Sequence, residues 1–303
     1  MTETCSMYNL SLDRNLYSLD GEEQNFFKRQ TDIQDGEKLK EHIIAVQEEA
    51  FKVVNYPCIQ GFRFTKLKIG RHPAYKDFLK LGQERRGAIY LEMACCFGND
   101  ARLAVMDGFP VENVIAADIR PEFWELGHKL FKSTHETFPV PFIAGDVFDP
   151  AHIAPCPPFY SSPSGPTPDL ATVTSLIPLQ GRISAIHASA FFHLFNEAQQ
   201  LIVAQRLASL LSPEPGSMIF GQHGGVKDKG PFTSFDGVTT FNHSIESWRE
   251  MWDGGVFKKG EVTVEAVLQE VAKRGKTSEG KDRHWVFVGD GPFYVMDWCV
   301  KRI

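Results

Sequence analysis

The chain has 303 residues, of which 43% are hydrophobic, enough for one large core or for one core plus a cap. Its net charge of −6, with no basic run longer than a pair such as Lys258-Lys259, argues against a nucleic-acid surface, because neutralising phosphates takes clustered Lys and Arg. No stretch reaches the roughly 18 apolar residues of a membrane span, the first residues lack the basic-then-apolar pattern of a secretory leader, and the six cysteines show no CxxC spacing, so a reducing, cytoplasmic setting is expected.

Residues 1–35 are polar and weakly patterned, with Tyr8, Leu10, Leu12, Leu16 and Tyr17 as the side chains available for packing. From Asp35 to Val54 the spacing of Leu39, Ile43, Val46, Ala50 and Val53 predicts an amphipathic helix, ended by Pro57. Pro73 is placed to start a short helix carrying Tyr75, Phe78 and Leu79. Residues 1–84 are therefore read as an N-terminal helical cap, or a cover for a sheet edge, ahead of a larger domain over 85–303.

That domain begins with a strand, GAIYLEMA (87–94), and a turn over 95–98. Asn99 or Asp100 is the expected cap of helix ARLAVMDG, with Gly108 at its end. NVIAAD forms the second strand, closing on Asp118, and Pro121 opens a helix that buries Phe123, Leu126, Gly127, Leu130 and Phe131. FIAG, the third strand, leads to Asp146. An insertion over 150–180 then carries eight prolines between Pro150 and Pro178, a composition expected to form no element of its own. Lying at the edge where the acids end, it either borders a substrate mouth or acts as a disordered spacer. ISAIHAS (183–189) and GSMIFG (216–221) are the fourth and fifth strands. Between them Asn196 and Gln199 form a capping-box pattern. Ser244 can cap SIESWREMW, and EVTVEAVL and FYVMDWCVKRI read as a terminal strand pair. The alternation predicts an α/β, Rossmann-like seven-stranded sheet, mostly parallel with an antiparallel C-terminal strand.

Glu92, Asp118 and Asp146 close successive strands at spacings of 26 and 28 residues, so their carboxylates are expected along one crevice. A dinucleotide site needs a glycine-rich turn around its pyrophosphate. Here only Gly98 is glycine, among Ala94, Cys95, Cys96 and Phe97, and Glu92 would repel phosphate. S-adenosylmethionine (SAM) carries a positive sulfonium and no phosphate, and suits the acids. Asp118 would accept the ribose hydroxyls, Ile119 would cover the adenine, and Asp146 and Val147 would meet the adenine edge. Glu92, Ala94, Cys95 and Gly98 would line the methionine portion, with His187 and Ala188 contacting the cofactor or the core. Each acid taken singly is equally suited to capping a strand end. His193, Gln222 and His223 are the candidates for base or substrate-oxygen contact, and Phe191, Phe192, His243 and Trp248 for the substrate wall. Histidines 187, 193, 223 and 243 lack the tight spacing of a metal site, and no metal is expected.

The series CCFGND, ADIRPEFWELGHKLF, FIAGDVFD, HASAFFHLF and SPEPGSMIFGQHGG resembles fungal secondary-metabolism methyltransferases. More narrowly, it resembles the carboxyl methyltransferases of austinol- and terretonin-type meroterpenoid pathways, over roughly residues 36–300. The resemblance implies a class I methyltransferase fold, a small lipophilic acid or enol as substrate, and a homodimer. The expected reaction is SAM-dependent O-methylation of a carboxylate or an enol or phenol oxygen, releasing S-adenosylhomocysteine. N-methylation of a small amine and a catalytically silent SAM-binding regulator are the other readings; the single-glycine turn speaks against an NAD-dependent reductase. Two departures stand out: Ala94 where such turns usually have glycine, and Ser184 where the fourth strand often carries Asp.

Overall fold

The computed structural model describes residues 10–233, 239–271, 275–276, 282–283 and 293–303; Tyr8 lies outside them. Its N-terminal region is built from short helices whose starts are set by side chains that accept backbone amides. Helix α1 (Gly21–Thr31) opens with a capping box between Asp20 and Glu23. Helix α2 (Gly36–Val53) is capped by Asp35 and buries Leu39, Ile43, Val46 and Ala50, the predicted face. Pro57 does more than stop α2, since it occupies the first turn of α3 (Pro57–Gln60). Two further helices follow, α4 (Lys68–Arg71) and α5 (Tyr75–Glu84), the latter burying Tyr75 and Phe78. Helix α1 went unread in the polar N-terminal stretch because only Phe26 and Phe27 mark its buried side. Both rings pack on Phe131, with Phe27 stacked at 5.3 Å between centroids. The fully buried carboxylate of Glu23 pairs with Lys66 at 2.7 Å and Arg71 at 3.1 Å, fastening α1 to the last residue of α4 and to the chain just before it.

The sheet contains β1 (Tyr90–Met93), β2 (Val114–Asp118), β3 (Phe142–Ala144), β4 (Ala185–His187), β5 (Met218–Gly225), β8 (Val262–Val271) and β11 (Phe293–Arg302). Their order is β3-β2-β1-β4-β5-β11-β8. The first five run parallel, and β11 lies antiparallel between β5 and β8. This is the seven-stranded class I methyltransferase sheet, with the chain reversing direction across the sheet between β1 and β4, the position at whose carboxyl ends open α/β sheets hold their ligands. Outside it, β6 (Gly230–Thr233) pairs with β7 (Thr239–Asn242), and β9 (Gly275–Lys276) with β10 (Asp282–Arg283). Helices α6 (Asn99–Met106) and α7 (Pro121–Leu130) cover the face shared with the N-terminal region, and α8 (Glu197–Leu210) and α9 (Ile245–Trp252) cover the other.

Two local expectations change. Helix α6 is entered through Gly98, with no side-chain cap; Asn99 donates to the Lys66 carbonyl (2.8 Å) and Asp100 accepts the Ile69 amide (3.2 Å). Both side chains hold the segment at the start of α4 instead of their own helix. The proline-rich insertion is neither a spacer nor confined to the acid edge. Ile153, Leu170, Leu176 and Leu179 are buried, and the Phe159 carbonyl accepts from Arg302 at the opposite end of the sheet. Tyr160 accepts the Lys258 amide (2.8 Å) beneath the Arg302 guanidinium. Proline fixes φ at no folding cost here, and scattered Leu and Ile anchor the strap without periodicity.

Candidate active site

At the tip of β1 the backbone turns sharply, and Ala94, Cys96 and Gly98 all adopt positive φ (55°, 50° and 71°). These are the conformations a glycine-rich nucleotide turn uses, here with side chains at two of the three positions. Gly98 has no alternative: a Cβ there would sit 2.5 Å from Trp124 of α7. Across the turn, Asp118 at the tip of β2 accepts the Cys96 amide through Oδ2 and the Arg120 amide through Oδ1, both at 2.9 Å. Burial raises its carboxyl above the ordinary range, opposed by those amides. Ile119 beside it is 55% exposed, an open apolar surface next to the carboxylate. Asp146, beyond β3, is exposed and accepts the Phe148 amide (2.9 Å), while Val147 packs inward.

Glu92 does not join these two at the rim. It pairs in register with Ala116, two residues short of Asp118, and its side chain is buried. There it accepts from the Tyr90 hydroxyl and meets His187 Nδ1 at 2.9 Å, while His187 Nε2 meets the Ser189 hydroxyl at 2.7 Å. Ser189 in turn accepts the Gln222 amide (3.1 Å), joining the ends of β1, β4 and β5. Burial pushes Glu92 up to about 8 and His187 down to about 4, so at neutral pH the pair is a neutral hydrogen bond between acid and imidazole. Asp100 completes the cluster, with one ligand atom from each of Glu92, Asp100 and His187 lying within 4.8 Å of the others, and burial lifts it to about 6. Both imidazole nitrogens of His187 are already engaged.

On the opposite face, His223 at the end of β5 accepts from the Trp298 indole N–H at Nδ1 (2.9 Å). Indole nitrogen only donates, and burial holds this imidazole neutral, so its proton resides on Nε2. That Nε2–H is buried with no partner among the described residues. His193 Nδ1 and His243 Nε2 are likewise buried and unmatched, and both residues bear electrostatically on His223. His243 is held at Nδ1 by Ser247 (2.9 Å). Phe192 and Trp248 are fully buried, their centroids 4.9 Å apart, within an aromatic box that includes Trp252 and Trp298. Phe191, near the rim, packs edge-on to Phe195, which meets Phe148 the same way. The Gln222 amide group donates to Asp297 (2.6 Å), and Ala188 is buried on β4.

Sequence reading missed Tyr90, Asp100, Ser189 and Asp297. Tyr90 was within reach, because it lies two residues from Glu92 and so on the same strand face. Asp100 carried no such signal, since its partner Ile69 is 31 residues away.

Among the described residues no helix is long and apolar enough to cross a membrane. The family model described as the meroterpenoid methyltransferase N-terminal domain matches residues 11–65. The chain is 31% identical over 216 residues to the asnovolin E/chermesin D methyltransferase nvfJ of Aspergillus novofumigatus, covering 71% of this chain and 69% of that protein. It is 29% identical to the methyltransferase trt5 of Aspergillus terreus over 72% of this chain and 70% of that one. For the O-methyltransferase phiE of a fungal species (strain ATCC 74256) the figures are 30%, 71% and 65%, so the chain spans slightly less than two thirds of that relative. Among solved structures, the 1,6-didemethyltoxoflavin N1-methyltransferase of Burkholderia thailandensis aligns with a TM-score of 0.47 at 14% identity, over 86% of this chain and 89% of that one. With the strand order, the sheet-end carboxylates and relatives matched along most of its length, the chain belongs to the family of fungal meroterpenoid methyltransferases.

Proposed function

We propose that the protein is a SAM-dependent O-methyltransferase of a small lipophilic acid or enol. The observation that carries this reading is the Cys96 amide bonded to Asp118: one contact couples the left-handed turn to a carboxylate with lone pairs left for a diol. The donor set fits a sulfonium nucleoside, since acids and backbone groups surround the turn and no glycine-lined phosphate cradle is present among the described residues. Asp118 and Asp146 would hold the ribose and adenine, with Ile119 against the ring. The turn over Ala94, Cys95 and Gly98 would follow the methionine chain above Glu92 and His187.

SAM supplies the methyl group, and the protein's share is alignment and exclusion of water, worth on the order of 7–11 kcal/mol in well-oriented systems. An ionised carboxylate needs no base, having a pKa of about 4. His223 Nε2–H is a donor of fixed tautomer that would orient the acceptor oxygen. His193, kept neutral by burial and with Nδ1 unmatched, is the group able to take an enol proton. Phe191 and Phe195 would face the apolar body of the substrate.

Calorimetric titration with S-adenosylhomocysteine should show binding to the wild type, and Asp118→Ala should weaken it by about a hundredfold or more, as expected for losing a charged acceptor of two hydroxyls. Unchanged affinity in that variant would overturn the assignment.

A further inference from the structure

The cap contributes a cation to the acidic floor of this site. Lys68, the first residue of α4, is flanked by Leu67 and Ile69, both packed into the core, and its own side chain is half-buried. The backbone around it is clamped to the start of α6, since Asn99 holds the Lys66 carbonyl and Asp100 holds the Ile69 amide. Asp100 belongs to the cluster with Glu92 and His187, so Lys68 is pinned at the boundary between the cap and the β1 turn. Its ammonium nevertheless makes no hydrogen bond or ion pair with any described residue. Other cations of the cap are committed: Lys66 and Arg71 both bind Glu23. Burial dominates the titration of the site residues. Lys68 is a cation whose field reaches Glu92 and Asp100 on one side, Cys96 in the turn, and His187 and His193 on the other, the last shared with Arg63.

A half-buried ammonium with its hydrogens unspent, beside a buried carboxylate, is one half of a receptor for a zwitterion. The amino-acid end of SAM and of S-adenosylhomocysteine carries an ammonium and a carboxylate on one carbon. We propose that Lys68 binds the α-carboxylate of the cofactor's amino-acid end while Asp100 faces its ammonium, so that the cap supplies part of the cofactor site. This rests on the methyltransferase reading above and adds two residues to it. Because Lys68 comes from a segment held by α6, cofactor binding and cap position are coupled through the same contacts.

The test is a cycle of two ligands and three proteins, read by calorimetry. The ligands are S-adenosylhomocysteine and its decarboxylated analogue, which lacks only the carboxylate; the proteins are wild type, Lys68→Met and Lys68→Arg. Lys68→Met should lower affinity for S-adenosylhomocysteine by about ten- to a hundredfold, the loss of one charge-assisted contact. The wild type should bind the decarboxylated analogue more weakly by a similar factor, and Lys68→Met should no longer distinguish the two ligands. Lys68→Arg should retain most of the discrimination. If Lys68→Met still prefers the carboxylated ligand by the wild-type factor, the proposal is wrong and the residue acts only through structure. Unchanged cofactor affinity with a raised KM for the acceptor would also overturn it, transferring Lys68 to the substrate. Failure of the wild type to bind either ligand would instead bring down the methyltransferase reading itself.

Discussion

Ala94 and Cys96 hold a backbone conformation that L-residues pay to adopt, about 1–2 kcal/mol apiece. Ala94→Gly removes that strain and returns roughly 0.5–1 kcal/mol of chain entropy to the unfolded state. A net stabilisation of about 0.5–1 kcal/mol is expected, seen as a Tm higher by about 1–3 °C in calorimetry. Here the sequence was legible in one respect and opaque in another. The acids at strand ends could be placed by spacing alone, but a turn that looks poor in glycine has the dihedrals of a rich one. Letters report which residues make a conformation cheap, and the surrounding contacts decide whether an expensive one is kept. Glu92 shows the same limit: its position on β1 was readable, whereas its descent beneath the rim, toward Tyr90 and His187, depends on the pairing of β1 with β4.

Helix α7 owes its position to an approach that only glycine permits. A Cβ at Gly127 would lie 2.4 Å from the Phe97 carbonyl oxygen, so Gly127→Ala must push the helix away from the turn after β1. A cost of about 1–3 kcal/mol follows from overpacking of this kind, and affinity for S-adenosylhomocysteine should fall with it; denaturant melts and calorimetry on one preparation would show both. At this scale the helices announced themselves well. Asn196 and Ser244 cap as their spacing foretold, and Pro121 opens α7. What failed were elements whose partners lie far off in the chain. The strap over 150–180 is fixed by Tyr160 meeting Lys258 and by Phe159 meeting Arg302, and no local pattern encodes contacts at such separations.

Across the whole molecule, buried titratable groups give stability a defined pH profile. His72, His187 and His243 are held down near 4 by burial, against 6.5 when free. Their contribution is complete above about 6.5 and is lost as pH falls through 4, because the unfolded chain binds those protons first. Glu92 has the opposite sign: raised from 4.5 to about 8, it contributes fully below 4.5 and loses that contribution as pH rises through 8. Thermal melts between pH 4 and pH 8 should therefore peak near pH 6.5, the free-histidine value. Glu92→Gln, which cannot ionise, should flatten the alkaline limb and leave the acid limb in place. A profile that rises steadily toward pH 8 would contradict this ordering.

Phe26, Phe27, Leu39 and Ile43 share one apolar cluster with Phe97, Phe123 and Phe131, so the first helices and the β1 side of the sheet solidify together. Swapping front ends between family members is therefore an exchange of half a mould. A hybrid spliced near residue 84 inherits two surfaces never fitted to each other, and one that carries α6 and α7 along with the front end keeps the original cast.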